Sequence, residues 1–160
     1  MSNAAPIVCP EQEVIAPWID YNGHLNMAYY HVIFDRSVDY FYDMLGIGEG
    51  YARRGLGSVF TMEVHVHYLN EVSLGDRLQV HLQLLDFDQK CLHFFQHMYL
   101  AEGGHLVATS EQLALHVDTA SRRSAPFPEG ASSALAGIAR EHALLERPER
   151  SGSSIGIRRR

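Results

Sequence analysis

Polar and apolar residues follow two rhythms along this chain. From Asn26 to Leu45, Tyr30, Ile33, Phe34, Val38, Phe41 and Leu45 recur at helical spacing, with the small Ser37 on the same stripe. Asp35, Asp39 and Asp43 fall on the opposite side. The spacing predicts one long amphipathic helix, with Asn26 as N-cap and Gly46 as its stop. Residues 58–68 switch to period two: Phe60, Met62, Val64, Val66 and Tyr68 alternate with Thr61, Glu63, His65 and His67. Residues 77–85 repeat the pattern, with Leu78, Val80, Leu82 and Leu84 on one side. Residues 90–100 and 106–117 predict two further strands. Asp86–Gln89 and Glu102–Gly104 read as their turns, and Leu74-Gly75-Asp76 as another. Residues 7–16 predict a weak first strand, which Pro10 confines to an edge. A weaker helical pattern covers 132–145.

A strand, a long helix and four hairpin-linked strands make an α+β layout: a five-stranded antiparallel sheet curved around a long central helix. The expected division is one domain over residues 1–130, then residues 131–160 as a C-terminal helix and a basic flexible tail, RSGSSIGIRRR. At 160 residues, 46% hydrophobic and 20% charged, the chain can bury a core without cross-links. A net charge of −6 argues against a nucleic-acid partner. Cys9 and Cys91 show no CxxC spacing, which suits free thiols in a reducing compartment. No apolar run reaches the roughly 18 residues of a membrane helix. The opening MSNAAPIVC shows neither a basic nor a long apolar leader segment, so the expectation is a cytoplasmic protein without membrane contact.

The chemistry-bearing stretch is WIDYNGHLNMAYY, residues 18–30. It sets Asp20, Asn22, Gly23, His24 and Asn26 in a loop just before the helix. A helix start offers unpaired N–H groups and partial positive charge. A glycine lets a ligand approach the backbone. A carbonyl oxygen can therefore be polarised there beside a carboxylate. Asp20 alone would read as a turn residue; the company it keeps points to catalysis. Asn26 reads first as a cap, and His24 either closes the loop or orients a reacting group.

This segment resembles the active-site loop of hotdog-fold thioesterases of the 4-hydroxybenzoyl-CoA thioesterase type, in which an Asp stands three residues before a Gly that leads into the helix, here Asp20 and Gly23. The spacing Asp20-x-Asn22-x-His24-x-Asn26 is also similar to the Asp, Asn and His of plant acyl-carrier-protein thioesterases. The blocks LLDFDQKCLHFFQHMY (84–99) and ATSEQLALHVDTASRRSAPFP (108–128) resemble betainyl-CoA thioesterases of bacterial carnitine breakdown. The resemblance implies a hotdog fold and thioester hydrolysis of an acyl-CoA without metal or cofactor. It implies that Asp20 acts as nucleophile or as general base, that N–H groups around Asn26 and Met27 hold the oxyanion, and that Asn22 and His24 orient water or the carbonyl. It further implies a homodimer or homotetramer with sites at the shared interface.

For binding the acyl-CoA, Trp18, Tyr21 and Tyr30 are candidate aromatic contacts, since ring faces attract quaternary ammonium groups. Glu63 reads as a solvated sheet position or as a second acid or counter-charge in the pocket. Arg122 and Arg123 are the leading candidates for the CoA phosphates, ahead of Arg53 and Arg54 and of the three arginines closing the chain. His65 and His67 share a strand face but lack the neighbours of a metal site. A second class of function, a non-catalytic acyl-CoA-binding module, would not need Asp20. A hotdog dehydratase would need Pro-rich motifs that this sequence lacks.

Overall fold

The computed structural model describes residues 4–159, so Arg160 lies outside it. The long helix, α1 (Met27–Met44), forms where its stripe predicts, and the Asn26 side chain accepts a hydrogen bond from Ala28 N at its start. Its stripe buries Ile33, Phe34, Val38 and Phe41. Each such burial contributes about 1.5–3 kcal/mol. The expected first strand is split at Cys9–Glu11 into β1 (Ile7–Val8) and β2 (Gln12–Glu13). The later strands are β3 (Ser58–Tyr68), β4 (Arg77–Phe87), β5 (Cys91–Leu100), β6 (Leu106–Asp118) and the short β7 (Arg123–Ser124). Two further helices are α2 (Glu49–Arg53) and α3 (Glu129–His142). The sheet runs in the order β1-β4-β5-β6-β3, with β2 on β4 and β7 on β6. Its named pairings are antiparallel.

Leu78, Val80, Leu82 and Leu84 of β4 enter the core as their alternation predicts, joined by Leu92, Phe94 and Met98 of β5. Strand β3 departs from expectation. Its apolar set does not form a buried face: Phe60 is 49% and Met62 60% exposed. Only Val59 and Val66 pack against the core, and then partly. Two causes combine. β3 is the last strand of the sheet, so it lacks a neighbour on one side. A bulge between Thr61 and Glu63 also shifts the parity: Phe60 lies opposite Leu115, whereas Val64 lies opposite Gln112.

The segment after residue 130 includes the expected helix and is fastened to the sheet at several points. Leu135 of α3 is part of the core. His142 Nδ1 accepts the N–H of Leu84 at 2.8 Å, beyond the stretch of β4 that β1 covers, so a helix residue satisfies an open strand donor. Burial pulls the His142 imidazole below its usual range, which favours the neutral form that can accept this bond. Beyond α3, Gln83 Nε2 donates to the Glu146 carbonyl at 3.2 Å, and Gly152 N donates to Glu111 Oε2 at 2.7 Å. Residues 146–152 thus follow the sheet face turned away from α1.

Candidate active site

The loop before α1 is fastened at both ends. Asn26 N donates to the Trp18 carbonyl at 2.9 Å, Leu25 N to the Val72 carbonyl at 2.8 Å, and Ile19 and Leu25 form an antiparallel bridge. Between these ties the chain reverses: Gly23 N donates to the Asp20 carbonyl at 2.9 Å and Asp20 N to the His24 carbonyl at 3.0 Å. Gly23 has φ +80°, a left-handed conformation that glycine adopts without strain. The loop is therefore a small closed turn set on the tip of the helix.

Asp20 is half-buried. Its Oδ1 accepts the Asn22 N–H at 2.8 Å and its Oδ2 accepts the Asn26 side-chain amide at 3.3 Å. Asn26 Oδ1 in turn accepts the Ala28 N–H at 3.0 Å. One asparagine thus caps the helix and holds the carboxylate at its leading end. The backbone donors there are partly committed. Asn26 N is bound to Trp18, Ala28 N to the cap and Tyr29 N to the Asn26 carbonyl. The Asn26 backbone N–H is thus already taken by the Trp18 carbonyl and is not free for an oxyanion. Met27 N–H remains as the first-turn donor without a bond among the described residues.

Beside the loop runs an open groove of about 810 Å³, walled by His24, Leu25, Met27, Tyr30, Tyr68, Asn70, Glu71 and their neighbours. Asp20 is not among its walls in the single chain; Asn26 links the carboxylate to the Met27 end. His24 Nε2 lies 3.1 Å from Glu71 Oε2. The structure thus brings Asp20, Asn22, Gly23, His24, Asn26, Met27 and Tyr30 into one neighbourhood. Tyr21 is also on the loop, but at 97% exposure it touches almost nothing in its own chain. Trp18 is buried, stacks on Tyr29 at 5.6 Å and has the Arg36 guanidinium 5.2 Å above its ring, so that face is already taken by a cation of the chain itself.

Glu63 and the two arginines lie elsewhere in the chain. Glu63 is opposite Leu113, on the sheet face turned away from α1, where it lines a hollow with His65, His93 and Glu111. Arg122 and Arg123 follow β6 near Ser58, which pairs with Val117. Tyr68, whose hydroxyl lies 3.4 Å from the Met27 carbonyl, is ten residue steps away along β3. At about 3.3 Å per step that is roughly 33 Å. Within one chain these arginines cannot reach the loop.

The sequence reading missed Tyr68 and Glu71. The alternation of residues 58–68 groups Tyr68 with Phe60, Met62, Val64 and Val66 and gives no sign of a site role. Glu71 becomes a neighbour of His24 only through the Leu25–Val72 backbone bond, a contact between distant segments with no local signal. The available hint was a strand ending in Tyr68-Leu69-Asn70-Glu71, polar just where the next turn begins.

Comparison with known proteins decides the family. The model of the thioesterase-like superfamily matches residues 14–135. This chain belongs to that superfamily. Among curated relatives, a betainyl-CoA thioesterase of Pseudomonas aeruginosa is 37% identical over 147 residues, covering 92% of each chain. An L-carnitine dehydrogenase/betainyl-CoA thioesterase of Rhizobium meliloti is 36% identical over 98% of this chain, which spans only 31% of that longer protein. Among solved structures, a Staphylococcus aureus protein in complex with CoA superposes with a TM-score of 0.88 at 32% identity, covering 96% of this chain and 98% of that one. A putative thioesterase of Pseudomonas putida gives 0.83, also at 32% identity and with the same coverage of both chains. The helix-and-sheet architecture is accordingly the hotdog fold of this superfamily.

Proposed function

We propose that this protein hydrolyses a small acyl-CoA, betainyl-CoA to betaine and CoA above others, with Asp20 as the working carboxylate. The observation that carries the reading is the hydrogen bond that the Asn26 side-chain amide donates to Asp20 Oδ2, which holds a carboxylate at the leading end of α1, the end where the Met27 N–H is open. The names of the relatives support the acyl group and a place in carnitine breakdown, and the CoA complex of a 32% identical structure supports the carrier.

In this scheme Asp20 either attacks the thioester carbonyl, giving a mixed anhydride that water then opens, or takes a proton from water as it attacks. A carbon–oxygen bond forms, the carbon–sulfur bond breaks, and the thiolate leaves with a proton. Met27 N–H meets the developing oxyanion; such a donor contributes about 3–4 kcal/mol. Asn22 and His24 orient the water or the carbonyl. The two free cysteines suit a cytoplasmic setting.

Following release of free thiol from a panel of acyl-CoAs tests the substrate. Betainyl-CoA should turn over faster than acetyl-CoA or palmitoyl-CoA. Equal or better turnover of a neutral or aromatic acyl group would remove betainyl-CoA as the substrate. Tight binding with no turnover of any thioester would instead favour the binding-module alternative.

The reading includes assembly through β3. Its unpaired edge and its exposed Phe60, Met62 and Val64 are a surface that a second copy can cover by antiparallel pairing. Such pairing would bring the Ser58 end of one β3 to the Tyr68 end of the other. Arg122 and Arg123 of the second copy would then approach the groove from which they are separated within one chain. Light scattering should give at least twice the 18.0 kDa chain mass. An 18.0 kDa species at working concentration would remove this arrangement.

A further inference from the structure

The groove beside the loop carries a recognition chemistry that hydrolysis does not itself require. Tyr30 and Tyr68 meet almost at right angles, with ring centroids 5.1 Å apart and an interplanar angle of 85°. The corner is held from behind. Tyr30 donates its hydroxyl to the Asn70 carbonyl at 3.1 Å, and the Tyr68 hydroxyl lies 3.4 Å from the Met27 carbonyl and 3.1 Å from His31 Nε2. Burial, with Tyr68 and Glu71 nearby, pushes the Tyr30 phenol up to about 12, so it stays a neutral donor. Glu71 stands on the same wall, its carboxylate 77% exposed and paired with His24. Within one chain no Lys or Arg among the described residues lines the groove; Leu25, Leu69 and Leu100 complete it with apolar surface.

The half-exposed Tyr68 ring, backed by the buried Tyr30, together with apolar walls and one carboxylate, suits a bulky, poorly hydrated cation better than a neutral group of the same shape. Position favours this as well. In a betainyl thioester a single methylene separates the ammonium nitrogen from the reacting carbonyl, so the two subsites must adjoin. Met27 belongs to both: it offers the open first-turn N–H and it lines the groove.

We infer that the Tyr30–Tyr68 corner and Glu71 form the subsite for the quaternary ammonium head of the acyl group, with Glu71 setting the preference for a cationic over a neutral acyl chain. The inference rests on the betainyl-CoA reading and assigns its selectivity to residues that the loop motif does not contain. Glu71 is shared between His24 and the substrate cation, so the ammonium takes up a carboxylate already aimed into the groove.

The test compares betainyl-CoA with 3,3-dimethylbutyryl-CoA, its neutral isostere with carbon in place of nitrogen. kcat and KM are measured for the wild type, Glu71→Gln, Tyr68→Phe and Tyr68→Leu. The wild type should favour betainyl-CoA. Glu71→Gln should lower the ratio of the two kcat/KM values about tenfold, chiefly through KM for the cation. Tyr68→Leu should shift the ratio in the same direction, while Tyr68→Phe, which keeps the ring, should hold it. Both positions are exposed enough for the variants to fold. If Glu71→Gln slows both substrates equally, the carboxylate acts only through His24 and the inference is overturned. A wild type that prefers the cation, with Glu71→Gln keeping that preference, also overturns it and leaves the substrate reading intact. A wild type indifferent to the charge removes the substrate reading and this inference together.

Discussion

Asp20→Asn should lower kcat/KM for betainyl-CoA by at least about a hundredfold while leaving the protein folded. The substitution is nearly isosteric, and the amide oxygen can still accept the Asn22 N–H that Oδ1 now accepts. What changes is the second oxygen. It becomes an NH2 group facing the Asn26 amide, which is itself a donor. Either that contact is lost, or Asn26 flips and surrenders its bond to Ala28 N. Loss of such a cap costs about 1 kcal/mol. The thermal midpoint should therefore move little, whereas the anionic charge needed for attack or proton transfer disappears. Thiol release measured with a melting curve on the same samples separates the two effects. Turnover unchanged in Asp20→Asn would leave the fold standing and exclude Asp20 as the reacting group. A single turnover in ¹⁸O-labelled water reads the nucleophilic role: label entering Asp20 marks a mixed anhydride opened at the Asp20 carbonyl.

The largest effect on stability should come from the middle of the sheet. Phe94→Ala should destabilise the protein by about 3–5 kcal/mol, the usual range for a buried Phe left as a cavity. Phe94 is 0% exposed and meets Phe41 of α1 edge-on, with centroids 6.0 Å apart. Its strand is paired on both sides, opposite Leu84 of β4 and Gln112 of β6, so the neighbours cannot collapse into the gap without breaking register. Urea unfolding should show a lower midpoint with an unchanged slope. A loss under about 1 kcal/mol would mean that helix and sheet do not pack as described.

The difference between Phe94 and Phe60 explains much of what the sequence concealed. Both sit in strands that the sequence predicts, Phe60 in one of clear alternation, yet Phe94 is sealed and Phe60 is half open. Alternation reports that a strand has two faces. It does not report whether the strand lies inside the sheet or at its border, because that depends on which strands come next to it. The bulge at Met62 compounded the error by shifting side chains across the sheet partway along β3. The α1 stripe and the Asn26 cap were legible because helix periodicity and capping are local, fixed within a few residues. The Asp20 loop was legible for the same reason. The groove was not: Tyr68, Asn70 and Glu71 come from a segment that backbone bonds and strand pairing carry to the loop from some 40 positions away. Arg122 and Arg123 stand out in the sequence by charge, and charge says nothing of which end of the sheet it occupies.

The order of the sheet also bears on how this unit can be joined to others. β1 opens the chain on one border, while β3 leaves its edge free on the opposite one. Four strand spacings of about 4.8 Å separate them, roughly 19 Å. Polypeptide attached ahead of Ile7 would therefore emerge on the side away from that free edge. Fusion to an upstream module and pairing of two copies need not compete for space, which suits a unit whose relatives include both a protein of similar length and ones about three times longer.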